Sequence, residues 1–320
     1  MASSKYDTHV DLNQDNNSHT MMVGLVGSHK RVLDVGCANG YFAEVLVERG
    51  CQVSGVEFDP VAAEEARKHL DQLVVGDLEQ LDLVAELGEG RFDVIVFGDV
   101  LEHLRDPLPV LRQARKLLAP GGYVVISIPN VAHGAVRLKL LQGRFDYQPL
   151  GLLDSTHIRF FTRDNLKALL HDAGLAATDF LRTTAGLFET ELGLTPDEVS
   201  ADLVEQVLAD PDATTYQFVV RAVPDDASWS VETMRSGFEQ RIGELEEQVA
   251  RLEQERERLV GEHHQQLVAY HDQVMDREHT IEVLREQLAT LEASRALRTA
   301  AGARRVADRF RPGSGEGPRT

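Results

Sequence analysis

The chain has 320 residues, 42% of them hydrophobic, and a formal net charge of −19 at pH 7, enough apolar content for one large folded domain with an appendage. That acidity excludes a general nucleic-acid binder, which needs a basic face. No run approaches the roughly 18–20 apolar residues of a membrane span, and the opening MASSKYDTHVDLNQDNNSHT lacks the apolar stretch of a secretory signal, so a cytoplasmic location is expected.

From Arg31 to about Val223 short apolar runs alternate with amphipathic stretches: RVLDVG, YFAEVLVERG, QVSGVEF, PVAAEEARKHL, QLVVGD, FDVIVFGD, PLPVLRQARKLL and GGYVVISIP. Strand followed by helix, repeated, predicts an α/β fold with a doubly wound, mostly parallel sheet covered on both faces. AATDFLRT and TYQFVVRAV are expected to close it as an antiparallel hairpin with a long excursion between them. Cys37 and Cys51 show no metal-ligand spacing and read as buried thiols.

A polar linker follows at 224–237. Beyond it Phe238, Ile242, Leu245, Val249, Leu252, Arg256 and Leu259 alternate spacings of four and three, the seam of a coiled coil over 238–294. The alternation slips by one four-residue step through His263 and resumes at Leu267, Tyr270, Val274, Arg277, Ile281, Leu284, Leu288 and Leu291, a stutter. A homodimer through this segment is expected. The tail, 295–320, turns basic through Arg295, Arg298, Arg304, Arg305, Arg309 and Arg311, and is expected to dock on an acidic glycan-assembly partner or the anionic inner face of a membrane.

The strongest chemical signal is VLDVGCANG, residues 32–40, where a strand ending in Asp34 turns through Gly36 and Gly40 into a helix and lets backbone approach a ligand closely. A dinucleotide fingerprint would need glycine at 36, 38 and 41, and this chain has Ala38 and Tyr41. The spacing instead resembles the first motif of class I S-adenosylmethionine-dependent methyltransferases, and over about residues 18–223 the later motifs follow in order. The resemblance implies S-adenosyl-L-methionine as cofactor. It implies that Asp34, Gly36, Cys37, Ala38 and Gly40 line its amino-acid end, that Glu57 with Phe58 meets the ribose, that Asp77 and Leu78 hold the adenine, and that the segment from Asp99 to His103 faces it.

The connection NVAHGAVRLKLLQGRFDYQPLGLLDSTHIRFFT far exceeds the usual two to six residues and is expected to be the substrate lid. A histidine suits removal of a hydroxyl proton near cellular pH. His157 is the first candidate base and His133 the second, with Asp154 orienting the imidazole and Arg144, Tyr147, Thr156 and Arg159 facing the acceptor. The lid together with YDTHVDLNQDNNSHT resembles methyltransferases of bacterial polysaccharide and glycosylated natural-product pathways, which implies O-methylation of a sugar hydroxyl and a NNSHT segment, Asn16 to Thr20, that folds over the cofactor or serves as a helix cap. A non-sugar small-molecule acceptor and a coiled-coil scaffold of a glycan-assembly complex are the alternatives. No metal is expected, because no close-set ligand pair is visible; Asp99, His103, Asp154 and His157 are the residues that could gather round a Mg²⁺ ion.

Overall fold

The computed structural model describes residues 10–225 and, beyond them, 249–261, 263–267, 270–271, 273–278, 280–290 and 295. The chain divides into two units, residues 1–242 and 243–320. The expected tail after Arg295 and the first seam residues, Phe238, Ile242 and Leu245, lie outside the described residues.

The first unit is built on one seven-stranded sheet. Its strands are β1 (Arg31–Val35), β2 (Gln52–Glu57), β3 (Gln72–Val75), β4 (Phe92–Gly98), β5 (Leu118–Pro129), β6 (Leu175–Thr184) and β7 (Thr215–Pro224), in spatial order β3-β2-β1-β4-β5-β7-β6. β3, β2, β1, β4 and β5 run parallel, and β7 pairs antiparallel with both β5 and β6. The central strands are apolar along their whole length because both faces are covered. Side chains alternate between the faces: Leu33, Val35, Ile95, Phe97, Val124 and Ile126 belong to one core, while Val32, Val53, Val94, Val96 and Val125 belong to the other.

The first core is closed by α4 (Leu83–Leu87), α5 (Pro107–Leu117) and α7 (Arg163–Asp172), which contribute Leu83, Leu111, Leu117, Leu166 and Leu170. The second is closed by α1 (Ser18–Val26) and α2 (Tyr41–Glu48), through Met22, Val26, Phe42 and Leu46. Each such Leu withdrawn from water stabilises the fold by roughly 1.5–3 kcal/mol. Helix starts follow the sequence closely. Asp59 caps α3 (Pro60–Ala66) and Asp106 caps α5, each with proline at the first helical position, and Thr162 with Asn165 forms a capping box on α7. The strand order, the helices on both faces and the antiparallel β6–β7 closure make the first unit the doubly wound, mostly parallel, Rossmann-like α/β fold that the sequence predicts.

Two chain excursions build a cover beyond the ends of β5 and β6. One runs from β5 to α7 and contains α6 (Gly134–Leu141); the other joins β6 to β7 and contains α8 (Ala201–Leu208). They share a third core of Ala135, Val136, Leu138, Leu152, Leu153, Leu187, Leu192, Leu194 and Val207. Phe161 sits in the first core and Phe160 packs on the third, so this aromatic pair pins the cover to the sheet domain. The described residues from 249 to 290 are helical, and Val249, Leu252, Leu259, Leu267, Tyr270, Val274, Ile281, Leu284 and Leu288 are exposed along that helix.

Candidate functional site

At the carboxyl end of β1 the chain turns back under the end of β2. The backbone N–H groups of Gly36 and Cys37 both donate to the Val56 carbonyl, at 2.8 and 3.1 Å. Gly36, Ala38 and Gly40 all have positive φ, 77°, 48° and 85°. At Gly40 a Cβ would meet the Ala66 Cα at 2.9 Å, so this position needs glycine for space as well as for conformation. Ala38 holds a left-handed conformation despite its Cβ, and its N–H donates to Glu57 Oε2 at 2.8 Å. The other Glu57 oxygen accepts from Asp59 N at 2.8 Å, so Glu57 ties the first loop to the end of β2.

Asp34 is buried and its Oδ2 has no partner. Burial, and secondarily the negative charge of Glu57, pushes its carboxyl up to about 7. Burial also pushes the Cys37 thiol up, which makes it inert as a nucleophile; Cys37 and Cys51 are both free and buried. Asp34, Gly36 and Cys37 form one side of a pocket whose other walls are His19, Met22, Tyr41, Phe42, Val96 and Gly98. An unsatisfied buried carboxylate oxygen aimed into such a pocket fits a cofactor that carries an ammonium group.

The NNSHT segment, Asn16 to Thr20, expected from the resemblance to fold over the cofactor, brings His19 to this pocket, a residue the sequence did not single out. Asn17 caps α1 by accepting from His19 N and Thr20 N, and His19 Nε2 lies 3.0 Å from the Tyr41 hydroxyl. Asn16 is fastened to β6 by two bonds, its Nδ2 donating to the Thr184 carbonyl and its Oδ1 accepting from Thr184 N, each at 2.8 Å. Capping and anchoring together place His19 over the loop. Phe58 is 70% exposed beside Glu57, and Asp77 follows β3 with its carboxylate accepting from Glu79 N at 2.9 Å. Leu78 packs on the edge of the first core.

Asp99 joins this pocket to the cover. It follows the pocket residue Gly98, has φ 55°, and accepts from Ser127 Oγ at 3.0 Å and Gln217 Nε2 at 2.9 Å. Its charge acts on His19 on one side and on Glu102 and His157 on the other. A short 3₁₀ turn, Leu101–His103, then carries Glu102 inward and His103 outward. The Glu102 carbonyl accepts from Ile158 N and Arg159 N, both at 3.0 Å, which staples the middle of the cover to the sheet edge.

There His157 is buried, its Nε2 4.0 Å from Glu102 Oε1 and its ring 4.9 Å from that of His103. Burial and then His103 hold its pKa below the ordinary value. His103 Nδ1 lies 3.1 Å from the Thr156 carbonyl. Asp154 accepts from both the backbone N and the hydroxyl of Thr156, at 2.8 and 2.6 Å, and so shapes the turn that presents His157. Glu102, His103 and His157 have ligating atoms within 4.8 Å of one another. No close-set ligand pair is visible along the chain; folding creates one from residues more than fifty positions apart, with Glu102 the member that was missed.

His133 is placed differently. It is the N-cap of α6, its Nδ1 accepting from Ala135 N at 3.2 Å and its Nε2 3.1 Å from the Ala185 carbonyl. Both ring nitrogens are engaged in holding the cover together. Arg144 pairs with Glu198 at 3.0 Å and Asp146 at 3.4 Å, Tyr147 is exposed against Phe145, and Arg159 Nε donates to the Arg105 carbonyl at 2.7 Å. All three side chains are exposed, and Arg159 meets the buried cluster only through its backbone N–H on the Glu102 carbonyl.

Glu57 offers a direct check on the loop. Removing a charged hydrogen-bond acceptor costs roughly 1.5–3 kcal/mol, so Glu57→Ala should weaken S-adenosylmethionine binding at least tenfold. Unchanged affinity by calorimetry in a folded variant would remove Glu57 from the cofactor site.

Residues 20–179 match a family model described as a methyltransferase domain. The chain is 34% identical over 164 residues to the ubiquinone biosynthesis O-methyltransferase of Pseudomonas paraeruginosa, covering 50% of this chain and 70% of that one. With the enzyme of the same name from Stutzerimonas stutzeri the identity is 32% over 158 residues, 48% and 68% of the two chains. A crystal structure of a methyltransferase from Archaeoglobus fulgidus superposes with a TM-score of 0.46 at 18% identity, covering 64% of this chain and 94% of that one. With the glycine loop, the orphaned Asp34 and the acid at the end of β2 in place, this chain belongs to the methyltransferase-domain family and is an S-adenosylmethionine-dependent methyltransferase.

Proposed function

We propose that the enzyme methylates a hydroxyl oxygen, and that its acceptor is a sugar hydroxyl of a glycan or glycosylated metabolite. The observation that carries O-methylation is the buried His157 beside Glu102: burial and then His103 keep the imidazole neutral, with its Nε2 4.0 Å from Glu102 Oε1, so a hydroxyl proton can pass to the ring. S-adenosylmethionine, when bound, supplies an electrophilic methyl on a cationic sulfur. Asp34 and His19 would hold its amino-acid end, Glu57 its ribose, and Asp77 with Leu78 its adenine. The cover excludes water through Leu152, Leu153 and Leu187 and leaves the acceptor to be aligned between Asp99 and His157 for in-line displacement.

The sugar assignment rests on the lid motif GLLDSTHIRFFT and the upstream NNSHT segment. A second acceptor reading, a ubiquinone precursor, is favoured by the names of the Pseudomonas and Stutzerimonas relatives. Transfer of labelled methyl from S-adenosylmethionine to a panel holding free, nucleotide-linked and lipid-linked sugars beside ubiquinone precursors decides between them. Label confined to the ubiquinone precursors would overturn the sugar reading, and label on nitrogen or carbon would overturn O-methylation.

The C-terminal helix supports a dimeric enzyme. Val249, Val274 and Ile281 at one seam position, with Leu252, Leu259 and Leu284 at the other, are the β-branched and leucine combination that favours two parallel strands. All six are exposed on the described helix, an apolar stripe that a second copy would cover. Light scattering at micromolar concentration should give the mass of a dimer for the full chain and of a monomer for a chain ending at Asp225. A monomeric full chain would reject this coiled coil. We propose likewise that the arginine-rich tail, whose residues after Arg295 lie outside the described ones, recruits the enzyme to an acidic partner or an anionic membrane surface.

A further inference from the structure

Glu102 is an unusual residue to bury without compensation. It is 1% exposed, neither of its carboxylate oxygens has a hydrogen-bond partner, and among the described residues the only basic group within ion-pair distance is His157, at 4.0 Å. His157 is 8% exposed, and its Nε2 is the ring nitrogen that faces Glu102. Native folds satisfy buried polar atoms, so an orphaned carboxylate beside a buried imidazole points to a ligand that both address.

His103 completes the geometry. Its Nδ1 is held 3.1 Å from the Thr156 carbonyl, the arrangement in which a ring N–H donates to backbone and leaves Nε2 bare and oriented. We propose that Glu102, His103 and His157 bind a divalent transition-metal ion, zinc by the chemistry of the donor set, at the junction of the cover and the sheet edge. Two imidazoles and one carboxylate suit zinc, whereas magnesium prefers an all-oxygen shell. Three protein ligands leave a coordination position open, and in an O-methyltransferase, the reading on which this role rests, the acceptor hydroxyl would occupy it and release its proton more readily to solvent water. With the ion in place, Glu102 and His157 would serve as ligands that position it, and the proton would leave through water instead of through the imidazole.

Cobalt(II) serves as the spectroscopic probe for zinc. Full-length protein, stripped with a chelator and dialysed, is titrated with Co²⁺ and back-titrated with Zn²⁺, in parallel with the Glu102→Gln and His103→Ala chains. His103 is exposed, so its variant remains folded even if the buried substitution does not. The expected result is visible absorption at one Co²⁺ per chain, displaced by Zn²⁺, with affinity lowered at least tenfold in His103→Ala. Binding that is absent, or that is unchanged in both variants and therefore arises elsewhere, would overturn the site. S-adenosylmethionine calorimetry on the same stripped samples separates the two readings: cofactor binding without metal binding would reject the ion and leave the methyltransferase assignment intact.

Discussion

His157→Ala is expected to lose at least a hundredfold in kcat on the true acceptor while binding S-adenosylmethionine as tightly as the native chain. The separation follows from position. His157 belongs to the cover and meets the sheet domain through Glu102, whereas the pocket proposed for the cofactor is walled by α1, α2 and the ends of β1 and β4. Handling of a hydroxyl proton is worth roughly 10² to 10⁴ in rate, and loss of a residue that orients the proton acceptor or its metal falls in the same range. The local fold tolerates the change, because the His157 backbone N–H still donates to the Asp154 carbonyl and Glu102 still accepts from Ile158 and Arg159. Wild-type kcat at saturating acceptor would remove His157 from the reaction, and a parallel loss of cofactor affinity would mean that the cover and the cofactor pocket are not separable.

Physical periodicity explains which parts of this enzyme were readable in advance. Parallel strands covered on both faces must be apolar throughout, so RVLDVG and FDVIVFGD announce themselves, and the glycine loop is legible because positive φ and close approach at Gly36 and Gly40 restrict the residue type. His133 and His157 looked alike because each is a histidine within a long connection. What separates them is the helix that starts at Gly134, whose N-terminus uses the His133 imidazole as a cap. Glu102 left no local trace. In LEHL it reads as a polar position on a short helical turn, and its depth comes from the cover folding over it, through bonds from residues 158 and 159. NNSHT is expected to fold over the cofactor, but nothing in it marks His19, because the Asn16 bonds to Thr184 are what swing that helix across the first loop.

Cofactor affinity should fall as the solution is acidified below about pH 7, and Asp34 is the cause. Its carboxyl titrates at about 7 in the free site because burial penalises the charge and Glu57, from the end of β2, repels it. The other titratable groups on the pocket are Cys37, whose thiol stays protonated, Tyr41, and His19, which burial keeps neutral against the opposing pull of Asp99. If the ionised form of Asp34 receives the cofactor's ammonium group, binding must first remove its proton. The sign follows: a carboxyl raised in the free site is charged only above its pKa, so affinity is full above pH 7 and drops about tenfold for each unit below it, reaching about a hundredfold at pH 5. Calorimetry in buffers of different ionisation enthalpy should show protons released on binding at pH 6 and none at pH 8. Asp34→Asn, which cannot ionise, should bind weakly with a flat profile over the same range. A native profile that is itself flat would place Asp34 outside the cofactor contact, and a variant that keeps the native slope would assign the titration to His19 instead.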